Sequence, residues 1–539
     1  MSFEVKYKDL LGRVGKLETS HGVVETPMVA PVINPLKLVV EPEEMYKMGF
    51  QIVMTNAFII KKNYGDLGVE LGVHGILGVN GPVMTDSGAY QILEYGEIDV
   101  GPEEILRYQE EIGSDIGVIL DIPTKYGSTF EEAREGVEET LKRAREALAK
   151  RRRSDFLLVG PVQGGRHYEL VRYAAKELSS MPFDIYAIGS PTPLMEQYKF
   201  EELVDLIMAA KRHLPLDKPV HLFGAGHPLM LSLAVALGVD LFDSASYALY
   251  ARDHRYMTPF GTYRLEELEE LPCCCPICSK LGVEGLKSLS EEERVKCLAL
   301  HNLYVLIGEI RTIKQAIKEG RLWELLEVKA SAHPSIKKAL KVLRKYKEFL
   351  ERHDPVIPSK IRGLVFSSPL SIYRPEVVRY RSRLLSRFSP PPGSRVLLLI
   401  PGTDEKPFHE TEGVSRLRAS VGNDVHICVY TYPFGLVPLE LDDIYPLSQH
   451  ETSLPVAGFK APVLNTVTRY LEAFGRGYKA LVIYGDRRTW GRAFYDRLVS
   501  TAHSMGLKVK VVFSRGALYS EEEVREVLSA LKGLRNTYI

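Results

Sequence analysis

The chain has 539 residues, 45% of them hydrophobic, and its 69 Lys and Arg balance 69 Asp and Glu. That length suits two to four domains with buried cores, and a net charge of zero excludes a global field that would draw in nucleic acid. Six cysteines, four of them between residues 273 and 278, make no disulfide framework. No apolar run reaches the roughly 18 residues of a membrane span, and the first six residues carry no apolar leader, so a cytoplasmic protein is expected.

Short apolar runs at residues 28–32, 52–55, 83–85, 117–120, 156–160, 185–188, 220–223 and 241–242 predict eight strands, with helical patterns between most of them. Several runs are apolar at every position, as strands buried on both faces of a parallel sheet tend to be. Eight β/α units in the first 250 residues predict a TIM (β/α)8 barrel. Polar residues follow the runs regularly: Asn56, Asp86-Ser87-Gly88, Asp121, Gln163-Gly164-Gly165, Gly189-Ser190, Gly224-Ala225-Gly226-His227 and Asp243. In a barrel these ends meet at one rim, where active sites sit.

Residues 298–350 read as helical, and Pro355 and Pro358 break the pattern. A basic stretch with Tyr373, Arg374, Arg379, Tyr380, Arg381 and Arg383 ends in Pro390-Pro391-Pro392-Gly393. Strands are predicted again at 396–400, 425–430, 481–484 and 509–513. The expected organisation is a catalytic barrel domain over 1–350, a basic linker or extension over 351–394, and a smaller C-terminal α/β domain over 395–539.

Two carboxylates on one rim, Asp86 and Asp243, can divide labour in a substitution at a sugar carbon. One attacks the anomeric carbon and the other moves a proton on the leaving or entering group. From spacing alone, capping the following helix is the commoner role for each. Asp121 can accept from an N–H edge, Gln163 both donates and accepts, Tyr90 offers a stacking face, and Gly189 permits close backbone approach.

Cys273, Cys275 and Cys278, grouped around Pro276, suit tetrahedral zinc with His301 as the fourth ligand. Four protein ligands leave no open position, so one structural Zn2+ per chain is expected, in an insertion after the last barrel strand. Cys274, adjacent to two ligands, should point away. Cys297 lies one helical turn before His301 and is the alternative fourth ligand. The basic run 142–153 reads as a solvated helix face, whereas arginine with tyrosine at 373–383 suits an RNA backbone and unstacked bases.

Met84-Thr85-Asp86-Ser87-Gly88-Ala89-Tyr90-Gln91 resembles the Asp-Ser-Gly-x-aromatic-Gln signature of tRNA-guanine transglycosylases. Leu241-Phe242-Asp243-Ser244-Ala245-Ser246-Tyr247 is similar to the nucleophile segment of the archaeal branch, and Cys273 to Cys278 with His301 to its zinc site. Leu120-Asp121-Ile122-Pro123-Thr124, Gly160-Pro161-Val162-Gln163-Gly164-Gly165 and Gly224-Ala225-Gly226-His227-Pro228 fit the same pattern in the same order.

The resemblance implies exchange of guanine at position 15 of the tRNA D-loop for 7-cyano-7-deazaguanine, in archaeosine biosynthesis. It implies Asp243 as the nucleophile at ribose C1′ and Asp86 as the group that takes the incoming base's proton, although the family's nucleophile is also assigned to the position of Asp86. It implies that Ser87, Tyr90, Asp121, Gln163, Gly189 and Ser190 hold the base, and that the protein is a homodimer. Ser190 departs from the family, which has a second glycine there.

The C-terminal domain resembles the one shared with archaeosine synthase. The synthase motif Pro-Cys-Ser…Lys-Pro-Tyr reads Pro401-Gly402-Thr403…Lys406-Pro407-Phe408 here, without the cysteine. No terminal PUA module is expected. The alternatives are that paralogous synthase, acting on the inserted base, and a non-catalytic tRNA-binding subunit. The missing cysteine speaks against the first, and the two retained aspartates against the second.

Overall fold

The computed structural model describes residues 3–89, 100–358, 360–454 and 456–535. Two compact units are present, Met1–Lys345 with Ile357–Lys360, and Tyr346–Val356 with Ile361–Ile539.

The first unit opens with an antiparallel sheet of β1 (Phe3–Asp9), β2 (Gly12–Thr19) and β3 (Gly22–Glu25). The sequence reading missed it, because most β1 side chains face solvent and leave no apolar run. The barrel follows: β4 (Met28–Pro31), β5 (Val53–Asn56), β6 (Val83–Asp86), β7 (Ile116–Val118), β8 (Leu157–Val162), β9 (Ile185–Ile188), β10 (Val220–Leu222) and β11 (Leu241–Ser244). All are parallel, in the order β4-β11-β10-β9-β8-β7-β6-β5. A bridge between Val32 and Met54 joins β4 to β5 and closes the barrel. Its strands are buried almost throughout, which is why each reads as a continuous apolar run.

Closure fixes what each end of the strands can do. Residues 86, 121, 163, 190, 224 and 243 fall at or beyond the C-terminal ends. Asp115 and Asp240, just before β7 and β11, fall at the other end.

After β11 come the helix Ser246–Arg252, a hairpin of β12 (Arg255–Thr258) and β13 (Gly261–Arg264), and the helices Pro276–Ser288 and Glu291–Glu319. A capping box between Ser290 and Glu293 starts the last of these. Its apolar face, with Leu298, Leu306, Ile310, Ile313 and Ile317, is buried. Asn302, on the same face, donates to the carbonyls of Tyr247 and Arg255 (3.2 Å each) and accepts from Met257 N–H (2.9 Å). It thereby ties the helix following β11 to the hairpin.

The second unit holds β14 (Leu364–Phe366), paired with β18 (His450–Thr452), and a five-stranded sheet. That sheet comprises β15 (Val396–Pro401), β16 (Val425–Thr431), β17 (Gly435–Pro438), β19 (Ala480–Gly485) and β20 (Lys508–Phe513), in the order β17-β16-β15-β19-β20. Only β17 runs antiparallel to its neighbour. The stretch read from sequence as a linker carries β14 and the helix Pro375–Ser386 of this unit.

Most of the Arg/Tyr stretch is engaged by the protein itself, although Arg383 is exposed. Arg374 is 1% exposed and pairs with Glu376, and Arg379 pairs with Glu351 and Asp354. Arg381 donates to the carbonyls of Pro433 and Phe434, and Tyr380 to that of Leu436. The basic run 142–153 lies on a helix as far as Lys150 and has acidic partners, among them Glu139, Glu177 and Glu103. Among the described residues no helix is long and apolar enough to cross a membrane.

Candidate active site

The rim brings together most of the side chains singled out from sequence. Asp86 ends β6, and its carboxylate accepts from the backbone N–H groups of Ser87 and Gly88. Asn56, at the end of β5, donates through Nδ2 to Asp86 Oδ2 (2.8 Å) and accepts through Oδ1 from Ile59 N–H (2.9 Å). Capping its own helix thus fixes which end of the Asn56 amide faces Asp86. Sequence reasoning placed Asn56 on the rim but gave it no role. Burial first, then the negative charges of Asp121 and Asp243, push the Asp86 carboxyl up to about 7.

Asp243 does not cap the helix behind it, whose N-cap is Ala245. Its Oδ1 accepts instead from His221 Nε2 (2.8 Å) and from Gly224 N–H (2.9 Å). Among the described residues nothing hydrogen-bonds Oδ2. His221 sits mid-strand in β10 and is fully buried. Sequence reasoning missed it, because a histidine between Val220 and Leu222 in an apolar run looks like core.

Asp121 lies beyond β7 and is 2% exposed. Gln163 Nε2 donates to its Oδ2 at 2.6 Å. Burial pushes the Asp121 carboxyl up to about 6, against the pull of Gln163 and of Arg143. The other end of the Gln163 amide is held as well: Oε1 accepts from Ser190 Oγ (2.9 Å) and Thr124 N–H (3.2 Å). Gly189 lies against the same amide, and a Cβ there would come within 2.3 Å of Gln163 Nε2. Ser87 is fully buried, its hydroxyl donating to Ile119 O at 3.0 Å. Tyr90 lies outside the described residues.

What this arrangement can do follows from its charges. Three carboxylates face one mouth, and no lysine or arginine forms an ion pair with them among the described residues. One, Asp86, is poised to exchange a proton near neutrality. Another, Asp243, is oriented through Oδ1 by His221 and Gly224 N–H, with Oδ2 unengaged among the described residues, as a nucleophile requires.

The cysteine cluster stands apart from this mouth. Donor atoms of Cys273, Cys275, Cys278 and His301 all lie within 4.8 Å of one another, and together they could hold a metal ion. Cys278 Sγ is 3.4 Å from Cys275 Sγ and 3.4 Å from His301 Nδ1. The sulfur–sulfur spacing is a few tenths of an ångström shorter than the edge of about 3.8 Å that tetrahedral metal–sulfur bonds of about 2.3 Å give, so a small outward shift of the thiols would seat the ion. His301 Nε2 donates to Met257 O (2.8 Å), which turns Nδ1 toward the sulfurs. Cys274 is exposed, and Cys297 is not part of the cluster.

A family profile described as queuine tRNA-ribosyltransferase matches residues 9–335. A second, described as a domain of unknown function, matches residues 377–490. The chain is 46% identical over 454 residues to the tRNA-guanine(15) transglycosylase of Pyrobaculum aerophilum, covering 84% of this chain and 90% of that one. It is 43% identical over 461 residues to the enzyme of the same name from Methanocaldococcus jannaschii (84% and 68%). Against that from Aeropyrum pernix it is 41% identical over 510 residues (93% and 98%).

Proposed function

The chain belongs to the queuine tRNA-ribosyltransferase family, and from that premise we propose that it is a tRNA-guanine(15) transglycosylase. It exchanges guanine at position 15 of the tRNA D-loop for 7-cyano-7-deazaguanine, in archaeosine biosynthesis. The observation that carries the reading is the division of labour between Asp243, oriented by His221 and Gly224 N–H, and Asp86, whose carboxyl is pushed up to about 7.

Oδ2 of Asp243 attacks C1′ of nucleotide 15. The C1′–N9 bond breaks, and the departing guanine takes its N9 proton from the Asp86 carboxylic acid. The ribose is left esterified to Asp243. The incoming base returns its N9 proton to Asp86 as N9 attacks C1′, and Asp243 leaves as a carboxylate. Two inversions give net retention.

The base is read by a donor beside an acceptor. With Oε1 accepting from Ser190 and Thr124, Gln163 presents its remaining Nε2 proton, next to the Asp121 carboxylate. That pair complements a ring C=O beside a ring N–H, the O6/N1 edge common to guanine and 7-deazaguanines. Gly189 completes the pocket and Ser87 supports it from behind, and the aromatic ring of Tyr90 is assigned, from the resemblance alone, to stacking on the base.

The residues of the cysteine cluster suit Zn2+, which would brace the hairpin and helices behind Asp243 while leaving no position open for chemistry. The active form is a cytoplasmic homodimer. The absence of the synthase cysteine, with Gly402 in its place, disfavours a synthase.

The test uses tRNA transcript labelled at guanine 15, incubated with protein and 7-cyano-7-deazaguanine. Wild type should release labelled guanine, and Asp243→Ala should release none while remaining folded. Failure of the wild type to release label, or unchanged release by Asp243→Ala, overturns the reading.

A further inference from the structure

We infer that Asn56 is a positioning residue for proton transfer at Asp86. Its amide is locked with the NH2 end on the Asp86 carboxyl, where it supports the charge left behind when the proton departs. The inference rests on the proposed base-exchange reading and adds a residue to which the sequence motifs give no role.

Strand register brings the two side chains together. β5 and β6 run parallel, with Asn56 opposite Asp86 at the last paired residues. Asn56 is buried, and its orientation is not free. Ile59 N–H can only donate, and it lies 2.9 Å from Oδ1. That leaves Nδ2, which can only donate, at 2.8 Å from Asp86 Oδ2. A half-turn of the amide would set NH2 against the Ile59 N–H, donor against donor.

The helix cap alone does not call for asparagine. Serine, threonine and aspartate also accept from the first N–H groups of a helix. Of these four residues only asparagine accepts through one atom and donates through another. The cap is thus the anchor, and the free end of the amide is what reaches the neighbouring strand.

The donor matters most when Asp86 changes charge. The charged groups that act on Asp86 are Asp121 and Asp243, and both push its carboxyl up, as burial does. Against them stand three hydrogen-bond donors: the backbone N–H groups of Ser87 and Gly88, and the Asn56 amide. The backbone donors belong to the turn after β6 whatever its side chains are. Asn56 is the donor that a substitution can remove. When Asp86 protonates the departing N9, the electron pair of its O–H bond stays on the carboxylate. A hydrogen bond to an anionic oxygen is roughly twice as strong as one to a neutral oxygen. Asn56 therefore stabilises the proton transfer more than it stabilises the resting acid.

The test follows guanine exchange across pH in wild type, Asn56→Ser and Asn56→Asp, with chemical unfolding alongside. Wild-type exchange, and its loss in Asp86→Asn, check the underlying reading on their own. Both Asn56 variants keep a capping side chain, and Asn56→Ser should unfold close to wild type. Its kcat should fall about tenfold, the scale of one hydrogen bond to a charged group, with KM for guanine within about twofold. The alkaline limb of its kcat/KM profile should move up by about half a pH unit, because a donor to the ionised form is lost. Asn56→Asp sets another carboxyl against Asp86 and should move that limb up by about one unit or more. A purely structural role would lower stability and leave the limb in place. An alkaline limb unmoved in both variants, or a wild-type kcat in Asn56→Ser, overturns the inference while wild type exchanges guanine. No exchange by wild type overturns the base-exchange reading and the inference with it.

Discussion

The two ends of the barrel treat buried carboxylates in opposite ways. At the N-terminal end Asp240 accepts from Arg13 Nε (3.0 Å), Arg13 Nη2 and Val220 N–H (2.8 Å). Asp115 accepts from His21 Nδ1 and N–H, His74 Nε2 and Val83 N–H. Burial alone would raise Asp115, but hydrogen bonds from His74, Val83 N–H and His21 hold it below its ordinary value. At the C-terminal end Asp86 and Asp121 are pushed upward instead, by burial and, for Asp86, also by the charges of Asp121 and Asp243. Same residue type, same sheet, opposite treatment: the lower acids staple strands to the N-terminal sheet, while Asp86 and Asp121 are left shifted upward, a pattern that clusters at functional sites.

Five outcomes would sharpen or break that contrast. Asp243→Ala should lower exchange by about a thousandfold or more, on the scale of other lost nucleophiles, with little change in thermal unfolding. Asp115→Ala should cost about 3 kcal/mol of stability, since it leaves buried donors unpaired, and the folded fraction should keep its kcat and KM. A variant at Asp115 that lost exchange without losing stability would dissolve the distinction between the two ends.

The pH dependence comes next in size. Asp121 must be ionised to accept from the base, so exchange should fall as pH drops below about 6. Asp86 must carry a proton for guanine to leave, so exchange should also fall as pH rises above about 7. The profile of kcat/KM is therefore a narrow bell between these limbs. Asp121→Asn should flatten the acid limb and move the alkaline limb downward, because the Asp121 charge is the second cause raising Asp86.

The smallest effect is on stability at the rim. A carboxyl raised in the folded state binds its proton more tightly there than in the unfolded chain, so folding stability falls as pH climbs toward about 7 and stays reduced above it. Asp86→Asn removes that penalty. It should be more stable than wild type at pH 8 by on the order of 1 kcal/mol, yet inactive. Chemical unfolding at pH 5 and pH 8 measures this, and a destabilised Asp86→Asn at pH 8 would contradict it.

Much of this was legible in the sequence, for identifiable reasons. Barrel strands are buried on both faces, so 157–162 or 185–188 stand out as apolar runs, and the polar residue ending each marks the rim. The cysteine spacing announced its own cluster. What stayed hidden depends on partners far along the chain. His221 is a core-like residue until Asp243, on the next strand, is placed beside it. Ser190 reads as a pocket residue until Gln163 is seen to take its hydroxyl. Arg374 and Arg379 read as RNA-facing until Glu376, Glu351 and Asp354 are found against them. Charge patterns in sequence do not say whether the counter-charge is solvent, nucleic acid or the protein itself.

The central claim is that Asp243, and not Asp86, forms the bond to ribose. Protein incubated with tRNA and no incoming base, denatured and digested, should yield one peptide carrying a ribosyl adduct, located by mass spectrometry. The account predicts that adduct on Asp243, with Asp86→Asn failing to release guanine and Asp243→Ala giving no adduct. An adduct on Asp86, or one that survives in Asp243→Ala, would contradict it.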